Sequence, residues 1–422
     1  MHKILIKNIQ QLAQVREVGT ALVKGESMSE LPSIFDAWLA IENDIIVGYG
    51  NMADWPGIND WSNLEVIDAS GKIILPCYCD SHTHIVFAGT REGEFVDRIN
   101  GLSYEEIALR GGGINNSAKK MQEANEEQLY EDALKRINEM ISQGTGAIEI
   151  KSGYGLSLES ELKMLRVIKK LKETLPIPIK STFLGAHAIP PRYKGNREAY
   201  LNLIINEMLP AIAKAQLADY CDVFCERNYF SPDETLQILM AAKQYGMIAK
   251  VHAEQLSNSG GVKAGIKADA ISVDHLEYVG DAEIEALLNS NTMPVILPGA
   301  AFFLSLPNPP AKKMIAAGLP LAIASDFNPG SSPSGNMNLM NAIACIQYGL
   351  TPEQTVNAST INGAYAMGLT RHYGSISIGK KANIIITKEV PSLAYLTYAF
   401  GSNLIDQVYI NGKLFNGSIL PV

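Results

Sequence analysis

Several things that this chain has little of narrow what it can be. Five cysteines are spread over 422 residues, too few for the dense disulfide framework of a small secreted domain, so a reducing, cytoplasmic setting is expected. No uninterrupted apolar run approaches the roughly 18 residues that a membrane-spanning helix needs. The start, Met1-His2-Lys3-Ile4-Leu5-Ile6, has no apolar core or small-residue cleavage site of a secretory leader. Basic residues are outnumbered, 35 Lys and Arg against 44 Asp and Glu, and the net charge of −9 argues against nucleic acid and anionic membranes as partners. An anionic small substrate stays open, because a local pocket can be basic on an acidic protein. Internal repeats and low-complexity stretches do not stand out.

What is present is an ordinary globular composition, 47% apolar and 19% charged, in a chain too long for one simple layered domain. The first 70 residues alternate in strand fashion (Ile4-Leu5-Ile6, Ala37 to Ile41, Ile45 to Gly48), with Glu42-Asn43-Asp44 as a hairpin turn. Strand character returns after about residue 373, in Ser375 to Ile378, Ala382 to Ile386 and Gln407 to Ile410. These two ends are expected to form one small β-sandwich domain, residues 1–70 with 373–422. Between them, short apolar runs alternate with helical patterns: Ala147 to Ile150, Ile177 to Ile179, Ile248 to Val251, Ala270 to Val273 and Leu321 to Ala324. One such helical pattern runs from Leu158 to Lys172, with Leu162, Leu165, Ile168 and Leu171 three apart. Repeated strand–helix units over about 300 residues favour a (β/α)8 TIM-like barrel for residues 71–372.

The chemistry-bearing residues sit where those runs end. His82-Thr83-His84 follows the apolar run Ile73-Ile74-Leu75-Pro76, and residues two apart on a strand face the same side, so both imidazoles aim at one point. His252 follows Ala249-Lys250-Val251, His275 follows Ser272-Val273-Asp274, and Asp326 follows Ala322 to Ser325. Imidazoles with a carboxylate suit zinc or iron, and the strand ends are the catalytic face of such a barrel. The alternatives are a core histidine for His252 and a helix cap for Asp326. His275 reads as a residue that orients a water or accepts its proton, with a fourth ligand or a hydrogen-bond partner of the site as the other reading. His2 and His372 lie away from these strand ends. A metal-bound water loses its proton near neutral pH, which suits hydrolysis of an amide-like bond.

With these residues in view, the chain resembles the amidohydrolase superfamily of metal-dependent hydrolases. Longer stretches narrow the resemblance to the branch that acts on a cyclic amide in histidine degradation. They are Ala88 to Phe95, Arg98 through Tyr104 to Ile114, Glu149 to Leu156, Thr182 to Pro190, Leu297 to Ala300, and Asp326 to Ser332. The resemblance implies hydrolysis of 4-imidazolone-5-propanoate to N-formimino-L-glutamate by one zinc or iron ion per subunit, and a homodimer. It places the metal on His82, His84, His252 and Asp326. It puts substrate contacts on Arg91, Tyr154, His187, Gln255, Asn328, Gly330 and Ser331, with His275, Asp326 and His187 as catalytic groups.

These residue types suit that substrate. Arg91 offers a planar two-donor fork to a carboxylate. Tyr154 projects from between two glycines, and His187 can hydrogen-bond the ring carbonyl or the oxyanion. Gln255 can read the ring nitrogens. Asn328, Gly330 and Ser331 offer amide, backbone and hydroxyl donors, although Gly330 can equally serve turn geometry. Pro76-Cys77-Tyr78-Cys79-Asp80 departs from the small-then-apolar pair of relatives, which raises thiolate ligation by Cys77 and Cys79, and likewise by Cys221 and Cys225. Small buried thiols are the simpler reading. The rival functions are another amidohydrolase acting on a cyclic amide or aminated heterocycle, a two-metal enzyme bridged by a carbamylated Lys151, and a noncatalytic assembly protein.

Overall fold

The computed structural model describes residues 2–58, 62–102, 106–107 and 110–418; Tyr104 lies outside them. Eight parallel strands run in chain order around one sheet: Tyr78–Asp80, Thr145–Lys151, Ile179–Ala186, Tyr220–Cys225, Ile248–Ala253, Ser272–His275, Met293–Ile296 and Ala322–Ile323. The seam between the first and last is joined just beyond their ends. There Thr83 bridges Phe327, Asp326 N donates to His82 O at 3.0 Å, and His84 N donates to Phe327 O at 2.9 Å. Barrel closure therefore falls at the His82–His84 pair and Asp326, and it fixes their backbones to one another.

Helices pack outside the barrel. The pattern around Leu158 forms the helix Leu158–Thr174, capped by the Ser157 side chain, and buries Leu165, Ile168 and Leu171. The N-cap hydroxyl satisfies an otherwise unpaired first-turn N–H, and the apolar stripe supplies the burial that stabilises a surface helix.

A second, mixed sheet is made from both ends of the chain. In order it carries Lys413–Leu414, Ile405–Ile410, Ile384–Glu389, Lys72–Pro76, Lys3–Ala13, Ser33–Glu42 and Ile45–Asn51, with Leu64–Asp68 also pairing to Lys3–Ala13. Asn43 takes a positive φ of 55° in the hairpin turn, as asparagine tolerates. The apolar run at 73–76 belongs to this sheet, pairing Ile74 with Ile386 and with Leu12. The strand that leads to His82 is the short Tyr78–Asp80. Alternation explains the difference: Ile73 and Leu75 point into the main core and Ile74 into the small-sheet core, so this strand joins the two. Among the described residues no helix is long and apolar enough to cross a membrane.

Candidate active site

At the barrel's C-terminal rim, His82 Nε2 and His84 Nε2 lie 3.2 Å apart, and Asp326 Oδ1 is 3.5 Å from the first and 3.4 Å from the second. His252 joins the two histidines, and His275 joins His82 and Asp326, with ligand atoms in each trio within 4.8 Å of one another. Burial, with Lys151 and the neighbouring imidazoles, holds the His82 pKa well below the ordinary histidine value. His252 is lowered to about 4, because burial outweighs the opposing attraction of Asp222. Neutral imidazoles are the form that ligates a metal. Converging ring nitrogens beside a carboxylate, all desolvated, fit a cation. None of the five cysteines belongs to a metal-binding group among the described residues. Burial pushes the Cys77 thiol far up and Cys79 to about 12, so both are small neutral core groups.

Beneath the ligands the barrel interior is charged. Asp274 Oδ2 takes His82 Nδ1 at 2.6 Å, and Asp222 Oδ2 lies 3.0 Å from His252 Nδ1. A hydrogen-bonded carboxylate such as Asp274 fixes ring orientation and raises ligand basicity, whereas Asp222 faces His252 at ion-pair distance and Nδ1 there makes no hydrogen bond. Lys151 Nζ pairs with Glu149 at 2.6 Å and Asp222 at 2.8 Å, and Lys250 Nζ pairs with the other Glu149 oxygen. All these side chains are fully buried. Burial opposes the Lys151 charge, but Asp222, Glu149 and Asp274 overcome it and raise its pKa. Lys151 is thus an ion-paired ammonium, which removes the free amine that the carbamate-bridged reading needs. Sequence reading missed Asp222, Asp274, Glu149 and Lys250. The available signal was their place inside apolar strands, Lys250 two residues before His252 on one strand face.

Two members of the cluster and one neighbour are strained: His275 has φ +93°, Asp326 +53° and Leu276 +73°. Positive φ costs a side-chain-bearing residue energy, and such residues gather at functional sites. Glu277, also unanticipated, is buried 3.6 Å from His275 Nδ1, and neither of its carboxyl oxygens has a hydrogen-bond partner.

A cavity of about 520 Å³ opens over the cluster and is lined by all seven of the expected substrate positions. Arg91 is held by Glu94 through Nε at 2.8 Å and Nη2 at 2.5 Å. Burial alone would raise the Glu94 carboxyl, but the Arg91 hydrogen bond and charge pull it below the usual value. A Cβ on Gly330 would stand 2.8 Å from Arg91 Cζ and closer still to Nη1. Gly330 has no positive φ among those observed, so the close approach of Arg91, not turn geometry, calls for glycine. Gly330→Ala is expected to displace the guanidinium and raise KM about 10- to 100-fold, the scale of one charge-assisted hydrogen bond of about 1.5–3 kcal/mol. Steady-state kinetics checks this, and an unchanged KM would remove Arg91 as the anchor.

Two residues are engaged differently from expectation. Asn328 Nδ2 donates to Asp326 O at 2.6 Å and Ser331 Oγ at 2.7 Å, while its Oδ1 accepts from Gly330 N at 2.7 Å and Ser331 N at 2.8 Å. That saturates the amide and commits the Gly330 N–H, so a direct substrate contact by either requires one of these bonds to open. His187 Nδ1 bonds Gly153 O at 3.0 Å. A carbonyl only accepts, so Nδ1 carries the proton. Burial and the neighbouring His84 and His252 hold the ring pKa well below its ordinary value. The neutral ring leaves Nε2 as an acceptor, whereas stabilising an oxyanion requires a donor. Tyr154, buried, stands 5.5 Å from the His187 ring and 5.9 Å from that of His84, centroid to centroid. Ser331 Oγ reaches Asp326 Oδ2 at 3.2 Å, and Gln255 is buried in the cavity wall.

A barrel that sets imidazoles and an aspartate at its strand ends, beside a sheet built from both termini, defines a class of hydrolase, and comparison places the chain within it. Residues 73–415 match the model of the amidohydrolase family. A protein of Christiangramia forsetii named imidazolonepropionase is 58% identical over 411 residues, 97% of this chain and 99% of that one. One of the same name from Geobacillus kaustophilus is 40% identical over 421 residues, 98% of each. The chain therefore belongs to the amidohydrolase family and, within it, to the imidazolonepropionases. Among solved structures, a zinc-bound adenosine deaminase from Xanthomonas campestris superposes with a TM-score of 0.70 at 17% identity, covering 98% of this chain and 92% of that one. A guanine deaminase from C. acetobutylicum gives 0.68 at 16%, covering 98% and 100%. At that identity the likeness is one of fold.

Proposed function

We propose that this chain hydrolyses the ring amide bond of 4-imidazolone-5-propanoate to N-formimino-L-glutamate, in histidine degradation to glutamate. The observation that carries the reading is one cavity in which the histidine–aspartate cluster and Arg91 meet, in a chain of this family. One zinc or iron ion on His82, His84, His252 and Asp326 would serve as a Lewis acid toward the carbonyl and lower the pKa of water.

The chain's own groups do the rest. Arg91 anchors the propanoate, steadied by Glu94 from behind. Water adds to the ring carbonyl carbon, the amide carbon–nitrogen bond breaks, and the freed nitrogen takes up a proton. Asp326 and His275 accept the proton of the water and return one to that nitrogen, acting as general base and acid. In the tautomer that the Gly153 carbonyl selects, His187 accepts a hydrogen bond from a substrate N–H, and Tyr154, Gln255 and Ser331 complete the wall around the ring.

Loss of freshly made substrate, followed in the ultraviolet with the product identified, tests the reaction. Chelation is expected to abolish it and added metal to restore it. Folded, metal-loaded protein without activity would redirect the reading to other cyclic amides or aminated heterocycles, which do not need Arg91 for a carboxylate. Metal analysis separates zinc from iron and counts ions per subunit. The reading also carries a cytoplasmic homodimer, which sedimentation would overturn by finding only monomer.

A further inference from the structure

One buried carboxylate away from the metal cluster has no role in the reaction outlined above. Glu161 lies in the first turn of the helix Leu158–Thr174 and is fully buried. Its oxygens accept from backbone N–H groups, not from a cation: Gly153 N at 3.1 Å, Gly155 N at 2.7 Å and Leu156 N at 2.9 Å. Burial raises its pKa, against the pull of these donors and of the Ser152 hydroxyl.

The loop it holds is one that does not keep its shape unaided. Gly153 has φ +111° and Leu156 has φ +52°, two left-handed residues within four. A Cβ on Gly155 would stand 2.5 Å from Glu161 N and 2.8 Å from its Oε1, so the loop is drawn directly onto the helix start. The same four residues carry both groups on this wall of the cavity. Tyr154 sits between the anchored amides, and the Gly153 carbonyl takes His187 Nδ1.

We propose that Glu161 is a positioning residue that clamps the 153–156 loop and thereby sets Tyr154 and His187 against the substrate. This rests on the assignment of the cavity as the substrate site. Successive N–H groups turned toward one carboxylate form an anion-holding nest, and here the anion is internal, so the loop has its working shape before substrate arrives.

Glu161→Gln puts an amide NH2 where an N–H donor already points. It is expected to lower kcat/KM about 10- to 100-fold, the scale of a misplacement near 1 Å, with metal content unchanged. Adding Tyr154→Phe to that variant should cost little more, because the tyrosine is already displaced; loss equal to the product of the two single effects would overturn the clamp. Hydrogen exchange at residues 153, 155 and 156 should speed up in the variant, and unchanged protection there would overturn it too. Should Glu161→Gln not fold, Glu161→Asp withdraws the carboxylate from the same N–H groups and is read by the same measurements. Exchange needs no substrate, so inactivity of the wild-type chain would defeat the substrate assignment while the clamp is still judged on protection.

Discussion

Replacing His275 with alanine is expected to lower kcat by about 10²- to 10⁴-fold, the range for a positioned acid or base, while the protein keeps its metal. His275 is fully buried at a strand end with a strained backbone, and it shares the cavity with Asp326. Burial works against its charged form, yet Glu277 and the aspartates Asp326 and Asp274 raise its pKa above the ordinary histidine value. The Glu277 carboxylate beside Nδ1 favours the protonated ring, the form from which the proposed mechanism returns a proton to the departing nitrogen. In the proposed ligand set His82, His84, His252 and Asp326 hold the ion, while His275, which also stands with His82 and Asp326, is left for proton transfer. Turnover together with metal content per subunit checks the role. Retained turnover would remove His275 from proton transfer, and loss of metal along with activity would make it a ligand instead.

Asp274→Ala should have the next largest effect, and on two quantities at once. Its carboxylate receives His82 Nδ1 at 2.6 Å and lies 3.8 Å from Lys151 Nζ and 3.9 Å from Lys250 Nζ, all fully buried. Without it, His82 loses the partner that fixes its ring, for which metal affinity falls about 10- to 100-fold. Two buried ammonium groups also lose part of their compensation. The lost bond also leaves His82 Nδ1 buried without a partner, which costs about 1–3 kcal/mol. Competition with a graded series of chelators measures the first effect and denaturant unfolding of the metal-free protein the second. Metal-free stability equal to that of the wild type would show that Lys151 and Lys250 are held by Glu149 and Asp222 alone.

Much of the fold was legible because its signals are local. Apolar runs near residues 147, 248, 270 and 321 end in polar residues, and each lies within or beside a strand. The helix at Leu158 is visible as an apolar stripe with a serine before it. Strands without a clean apolar pattern were harder. Tyr78–Asp80 is three residues long, and Tyr220–Cys225 carries Asp222 in its middle. Both are strands because neighbours on either side supply the ladder, which no window of sequence contains. The run Ile73 to Pro76 reads as apolar in sequence, but its sheet was decided by pairing with residues more than 300 positions later.

The candidate site divides along the same line. Residue types at strand ends are written in the chain: paired imidazoles two apart, two further histidines, an aspartate, and an arginine seven residues after His84. By itself the sequence determined the class of chemistry, the family and the residues to examine, because ligand identity and strand-end position are properties of short segments. Only the tertiary structure decided what each group is bonded to. It made Lys151 a paired ammonium, turned Asn328 inward to its own loop, fixed the His187 proton on Nδ1, and set Asp222, Asp274 and Glu161 behind the groups that face the cavity. Those outcomes depend on which atoms barrel closure brings within about 3 Å, the range in which a hydrogen bond forms.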